Sequence, residues 1–255
     1  MIEKVVETKS FIFKAFSLLS HEEKSEIVRC WKNPFCARFN AVNEPTSSVE
    51  EIASLPEPTF SIIARNLEGW NDTNYFRAVF DKKTEEIIGV CRFGMCYEKQ
   101  EKGIWEFGLF NVMMKQWGNG YGVKMLQEVC KLVKPEGIQY LYAGADNDNF
   151  GSYNAMIKSG FKYAGLDSDG DFSFRRDLTK PMPTNEEIDG EWQRHKRRYI
   201  RKFGKKRFDR LNKINNLIKE MLERIKAGEN GDKLIEEYYY ICNEIEEFPE
   251  KCEGE

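Results

Sequence analysis

Histidine is almost absent: His21 and His195 are the two in 255 residues, too few for a histidine-rich metal centre. Seven cysteines make an odd set without C-x-x-C spacing, which argues against both a disulfide framework and a zinc site. A metal-free protein is the expectation. No apolar run approaches the roughly 18 residues that a membrane span needs, and Met1-Ile2-Glu3-Lys4 does not open a signal peptide. The simplest expectation is a cytoplasmic protein without a membrane partner. There is no Gly-Lys-Ser/Thr of a P-loop and no G-x-G-x-x-G dinucleotide fingerprint. No segment repeats at a fixed period. The net charge of −3 excludes a globally basic nucleic-acid binder, but it conceals a strong local asymmetry.

What the chain does have is a glycine loop in a telling place. Trp117-Gly118-Asn119-Gly120-Tyr121-Gly122 lies between a strand-like run, Ile104 to Met113, and a helix-like run, Val123 to Val133. Glycines at alternate positions let the backbone curl and present successive N–H groups, and the helix adds the positive end of its dipole. A strand, a glycine loop and a helix N-terminus together suit a phosphate or pyrophosphate. A tight turn is the competing reading of the same residues.

The surrounding pattern is that of an α+β domain. Phe11 to Phe16 reads as a strand, and Ser20 with Glu23 as a capping box for a helix through Arg29 or beyond. Ser47 to Ile52 suggests a second helix, ended before Pro56. Asn74 to Phe80 and Glu86 to Met95 are strand-like runs about the turn Asp81-Lys82-Lys83-Thr84. Residues 138–145 and 171–176 supply the last strands, so antiparallel strands are followed by strand-helix-strand-helix-strand. Between those two lie Asp146-Asn147-Asp148-Asn149 and a short helix closed by Gly160, with Asn or Asp as the N-cap and glycine at C′.

These motifs, in this order, resemble the GNAT N-acetyltransferases. The loop 117–122 is similar to that family's acyl-CoA pyrophosphate loop, Asn149-x-x-Ser152 with Lys158-Ser159-Gly160-Phe161 to its second signature, and Ile104-Trp105-Glu106-Phe107-Gly108 to the strand entering the loop. Ile27-Val28-Arg29-Cys30-Trp31-Lys32-Asn33-Pro34 resembles the first helix and turn of the branch containing ribosomal-protein N-terminal acetyltransferases. The resemblance spans roughly residues 1–178 and is specific over 104–161. It implies a GNAT-like mixed, mostly antiparallel central sheet flanked by helices, followed here by a C-terminal α-helical hairpin.

It also implies a reaction, acetyl transfer from acetyl-CoA to a primary amine: a protein N-terminus, a lysine or a small molecule. Trp117, Gly118, Asn119, Gly120, Tyr121 and Gly122 would bind the pyrophosphate. Val112 or Met113 would polarise the thioester through backbone N–H, worth about 2.7–4 kcal/mol in the transition state. Asn149 would bind the pantetheine amides. A lysine-like amine, of pKa about 10.4, costs near 4–5 kcal/mol to deprotonate at pH 7, whereas an α-amino group near 7.7–8.0 costs about 1 kcal/mol. Glu106 is the implied base, acting through water. The tyrosine that many members use as an acid, four residues before the glycine of the Gly-Phe pair, is replaced by Met156; Ser152 is the expected substitute and Tyr153 a less suitable one. The bland alternatives are an ion-paired strand glutamate for Glu106, an N-cap for Asn149 and a plain helix residue for Ser152.

After Lys180 the character changes. Pro181-Met182-Pro183 signals a linker, and Thr184-x-x-Glu187 a capping box. The domain expectation is 1–180 followed by a helical extension over 181–255, with the linker at about 181–184 and helices at about 185–226 and 232–248. Ten basic residues between Arg194 and Arg210 are interleaved with Tyr199, Phe203 and Phe208, and glutamates from Glu236 to Glu250 follow in the next helix. Self-neutralisation or a solvated face is the favoured account; nucleic acid or an acidic protein is the other. The apolar stripe from Phe208 to Ile225 suits docking or a homodimer seam. A second functional class stays open: a catalytically weak acyl-CoA-binding module whose tail recruits a partner protein or nucleic acid.

Overall fold

The computed structural model of the chain describes residues 2–32, 35, 74–96 and 101–247. The helix expected over residues 47–52 lies outside them, as do Asn33 and Pro34. Strand β1 is Val5–Glu7, β2 Phe11–Ala15, β3 Asn74–Asp81, β4 Ile87–Met95 and β5 Ile104–Val112. They are followed by β6 Tyr140–Gly144, β7 Lys162–Leu166 and β8 Phe172–Asp177. All eight form one sheet in the order β1-β2-β3-β4-β5-β6-β8-β7. Every neighbouring pair is antiparallel except β5–β6. The mixed, mostly antiparallel sheet and its one parallel element are as the sequence predicts. The short edge strands β1 and β7 are additions to it.

Local chemistry explains the elements. In β2 the period-two alternation puts Phe11, Phe13 and Ala15 inside, with Ile12 and Lys14 half-buried between them. Helix α1, His21–Lys32, opens on the expected capping box: Glu23 N–H donates to Ser20 Oγ at 3.2 Å, and Ser20 N–H to Glu23 Oε2 at 2.7 Å. The β3–β4 turn is held by Asp81 Oδ1, which accepts from Lys83 N–H at 2.8 Å and Thr84 N–H at 3.2 Å.

Helices cover both faces of the sheet. On one, Met125, Leu126 and Val129 of α2 (Tyr121–Val133) and Tyr153, Met156 and Ile157 of α3 (Phe150–Lys158) bury Phe93, Phe107, Leu141 and Phe174. On the other, Ile27 and Cys30 of α1 pack with Phe76, Ala78, Phe80, Val90 and Met113. Helix α3 ends in a Schellman motif: Phe161 N–H donates to Met156 O at 3.1 Å and Gly160 N–H to Ile157 O at 2.9 Å. Gly160 has φ +84°, and a Cβ there would lie 2.7 Å from Pro183 Cδ and 2.9 Å from Met182 Sδ. The glycine therefore closes the helix and also seats the linker.

The C-terminal segment forms three helices: α4 Asn185–Phe203, α5 Lys205–Lys226 and α6 Gly231–Glu247. The single helix expected over 185–226 is interrupted at Gly204, whose φ of +88° and ψ of 156° no helix accommodates and L-side chains avoid. The Thr184–Glu187 capping box forms as expected, and α5 and α6 make the hairpin. Rather than standing apart, α4 docks on the sheet and α3. Trp192, His195 and Tyr199 meet Phe150, Tyr153, Phe172 and Phe174 ring to ring. Tyr199 Oη donates to Asp148 Oδ1 at 2.7 Å.

The basic run serves this docking. Arg194 and Arg198 pair with buried Glu191 at 2.8 and 2.9 Å, and Glu191 also accepts from Tyr163 N–H at 3.2 Å. Burial opposes the Glu191 charge, but the two guanidiniums and this N–H outweigh it and hold the carboxyl below its usual range. Arg207 pairs with Asp148 at 2.6 Å. Lys196, Arg198, Lys202 and Arg207 lie over the rings of Phe208, Tyr163, Phe172 and Phe203. Part of the run is thus neutralised within the chain, Arg194 and Arg198 by Glu191 and Arg207 by Asp148. Among the described residues no helix is long and apolar enough to cross a membrane.

His195 sits at the centre of this contact, 1% exposed, and neither ring nitrogen has a hydrogen-bond partner among the described residues. Burial, aided by Arg198 and opposed by Glu191, lowers its pKa from the usual 6.5 to about 4. The unfolded chain takes up this proton near pH 6.5 and the folded one only near 4. Stability contributed by the neutral ring is therefore lost as pH falls through that window, by about 3 kcal/mol at most. In urea melts from pH 7 to pH 4, His195→Leu should lose stability less steeply than wild type; parallel slopes would contradict this.

Candidate active site

Strands β5 and β6 run parallel from Ile104–Tyr140 to Phe107–Ala143, and there the pairing ends. β6 stops at Gly144 while β5 continues to Val112. Beyond Phe107 the edge of β5 that faced β6 has no strand partner among the described residues. A one-residue bulge lies in this stretch: the β4–β5 register passes from Arg92–Gly108 to Val90–Asn111, so Leu109 and Phe110 oppose Cys91. Strict alternation would put Phe110 on the face of Glu106. The bulge returns it to the other face, where its ring lies 5.3 Å from that of Phe107 and against α2.

Met113 N–H donates to Ile88 O at 2.8 Å, which engages one of the two thioester donors expected from the sequence. In an antiparallel ladder, successive residues turn their polar groups to opposite sides, so Val112, opposite Gly89, directs its N–H and C=O away from β4. Its carbonyl accepts from Trp117 Nε1–H at 2.7 Å. Its N–H faces the gap left by β6.

Trp117 thus ties the glycine loop to the end of β5. Gly118 and Gly120 have φ of +76° and +75°, a backbone conformation open to glycine and strained for other residues. Gly120 is the N-cap of α2 and brings no side-chain acceptor. Lys124 N–H is the first to find a helical carbonyl, that of Gly120 at 3.1 Å. The N–H groups of Tyr121, Gly122 and Val123 precede it and are the orphans of a helix start. A Cβ on Gly120 would meet nothing within 4 Å, whereas one on Gly122 would lie 3.0 Å from Phe110 Cζ and 3.6 Å from Ala155 Cβ. Gly120 leaves the space above the loop open, and Gly122 lets α2 close on β5 and α3. Tyr121 Oη donates to Asp81 Oδ2 at 3.2 Å, pinning the start of α2 to the β3–β4 turn.

The other wall is the first turn of α3. Asn149 Oδ1 accepts from Ser152 N–H at 3.0 Å, so the N-cap reading of Asn149 is realised. Ser152 is half-buried on this turn. Tyr153 is fully buried and its hydroxyl proton is already given to Ala145 O; burial and nearby aspartates push its pKa far up. Met156 is buried among core residues.

Glu106 alternates with Phe107 and so lies on the opposite face of the sheet from α2 and α3. It forms an ion pair with Arg92, which is 7% exposed. The registry partner of Glu106 on β6 is Tyr142, whose hydroxyl accepts from Arg175 Nη1 at 3.4 Å. Trp117 joins the glycine loop to Val112, and Gly122 brings the start of α2 against Ala155 of α3. Glu106 lies on the other face of the sheet, within the paired stretch of β5 and β6. The Tyr121–Asp81 and Trp117–Val112 contacts were not foreseen from sequence: the first follows from strand order, and the second, across five residues, from how the chain turns after β5. Among the described residues no group of three or more His, Cys, Asp and Glu side chains could hold a metal ion.

Comparison with known proteins bears on the domain and the fold. A sequence model described as "Acetyltransferase (GNAT) domain" matches residues 17–162, more than half of the chain. Among solved structures, a probable GNAT-family acetyltransferase from Chromobacterium violaceum superposes with a TM-score of 0.53 at 14% identity, covering 76% of this chain and 90% of that one. A GNAT-family acetyltransferase from Bacillus anthracis gives 0.51 at 13%, covering 69% and 99%. AAC(6')-Ib in complex with paromomycin and acetyl-CoA gives 0.53 at 12%, also covering 69% and 99%. At these identities the likeness is one of fold. A search of curated proteins returns no match. With this domain model spanning more than half of it, the chain belongs to the GNAT acetyltransferase family.

Proposed function

We propose that this protein is an acetyl-CoA-dependent N-acetyltransferase acting on a primary amine, with residues 1–180 as its catalytic unit and 181–255 as a helical extension. The observation that carries the reading is the open glycine loop. Its helix-start N–H groups lack helical acceptors, and it is tied by Trp117 to the strand whose Val112 N–H faces the gap. Such a cradle fits a diphosphate, and the gap fits an extended arm leading from it. The solved complex of AAC(6')-Ib with acetyl-CoA is consistent with that choice of donor.

Bound acetyl-CoA supplies an activated acyl thioester. Gly118 to Gly122 hold the diphosphate and Asn149 the amides of the arm. Val112 N–H polarises the carbonyl, a role for which Met113 is unavailable. Ser152 Oγ–H supplies the proton to the leaving sulfur, since Tyr153 is buried and Met156 carries no proton. Glu106 takes the proton of the acceptor amine through water, and Arg92 holds the carboxylate in place. With the carboxylate already engaged by Arg92, the best acceptor is the amine that deprotonates at least cost. This favours an α-amino group, such as a protein N-terminus, over a lysine by about 3 kcal/mol at pH 7. The competing reading, an acyl-CoA-binding module without turnover, keeps the same loop and draws its support from Met156.

Two measurements bear on this. Calorimetry should find CoA bound by wild type, and Gly120→Glu, which adds bulk and a like charge in open space, should weaken binding at least about 30-fold. Equal affinities would refute the assignment of the loop. In steady-state assays over a panel of amines, Ser152→Ala should lower kcat about 10- to 100-fold with the KM for acetyl-CoA little changed, as for a group acting mainly in the transition state. Glu106→Gln should cost most on high-pKa amines and recover part of its activity as pH rises. Binding without turnover on any amine would favour the module.

A further inference from the structure

Helix α5 crosses between the two loops that border the cleft. At its beginning, Arg207 pairs with Asp148 at 2.6 Å and the Phe208 ring lies 5.3 Å from that of Phe150, at the N-terminus of α3. Its 22 residues span about 33 Å at 1.5 Å per residue. At its far end the Lys226 ammonium lies 3.7 Å from where a Cβ on Gly118 would be, at the glycine loop before α2. The end of α5 is firmly built. Arg224 Nη2 pairs with Glu229 at 2.7 Å and Arg224 Nη1 donates to Tyr238 Oη at 3.2 Å, closing the turn at Gly228 onto α6.

The loop needs such a charge. Trp117 to Gly122 contains no basic residue, and a helix dipole offers only about half an elementary charge to a dianionic diphosphate. Of the two lysines nearest in sequence, Lys115 pairs with Glu26 at 2.9 Å and Lys124 lies over the Tyr121 ring at 5.2 Å, and neither comes within 4 Å of that position on Gly118. Lys226 pairs with Glu223 at 3.0 Å, but Glu223 is 73% exposed, and an i,i+3 pair so open to water is weak and easily exchanged.

We infer that Lys226 is a ligand of the cofactor diphosphate, so that the C-terminal extension completes the donor site of its own chain. This rests on the acetyl-CoA reading above. On binding, the ammonium leaves Glu223 for a diphosphate oxygen, and the two loops are bridged by α5 around the bound molecule. A charged hydrogen bond of this kind is worth about 10-fold or more in affinity.

Calorimetry on the full chain tests it, with CoA, dephospho-CoA and pantetheine as probes. Lys226→Gln should weaken CoA and dephospho-CoA alike, about 10-fold, and leave pantetheine, which lacks the diphosphate, unchanged. Lys226→Arg should stay within about threefold of wild type, since it keeps the charge. If Lys226→Gln binds CoA as wild type does while Gly120→Glu loses it, the inference is overturned and the cofactor reading stands. A loss confined to CoA and absent with dephospho-CoA would move the contact to the 3′-phosphate and overturn the diphosphate assignment. A wild type that binds none of the phosphorylated probes would refute the cofactor reading, and this inference with it.

Discussion

The one parallel pairing in the sheet, and its early end, governs the rest of the molecule. β5 and β6 share four registered pairs and then part, and backbone groups in a folded interior must find partners. On the β4 side, β5 stays paired through a bulge that turns Phe110 toward α2. On the β6 side its last residues have no strand to bond among the described residues. Val112 meets half of this demand through Trp117 and leaves an N–H directed at the gap. The site is therefore a consequence of interrupted pairing, with the glycine loop at its border.

The residues proposed for donor and acceptor chemistry stand on opposite faces of the sheet. Alternation along β5 places Phe107 with α2 and α3 and Glu106 with Arg92 on the far side.

The C-terminal helices belong to this architecture energetically. Isolated amphipathic helices of this length are marginal in water. Here α4 buries Tyr199 and His195 against the sheet, and the buried Glu191 is compensated by two arginines and a strand N–H. Many of the cations that make the segment look like a nucleic-acid arm lie on aromatic rings or carboxylates of the same chain. Their long side chains cover apolar surface while their charges find partners.

Much of this was legible in the sequence because it is local. The capping boxes at Ser20 and Thr184, the glycine loop, the Asn149 cap and the Gly160 closure are all settled within five residues by hydrogen bonds and φ preferences, and each formed where expected. The break at Gly204 was also written in the sequence, as a glycine inside a basic run, but the apolar stripes on either side concealed it. Other features depended on strand order and register, which no local pattern encodes. These include the choice of Val112 over Met113, the Arg92–Glu106 pair, and the proximity of Lys226 to Gly118. In each, the partners are 14 to 108 residues apart or are distinguished by one step of ladder alternation. The sequence by itself determined which segments form strands, helices and an anion-ready loop, because those follow from short-range sterics and bonding. Only the tertiary structure decided which atoms face the gap and that the tail reaches the loop, because both follow from how the sheet pairs and where it stops.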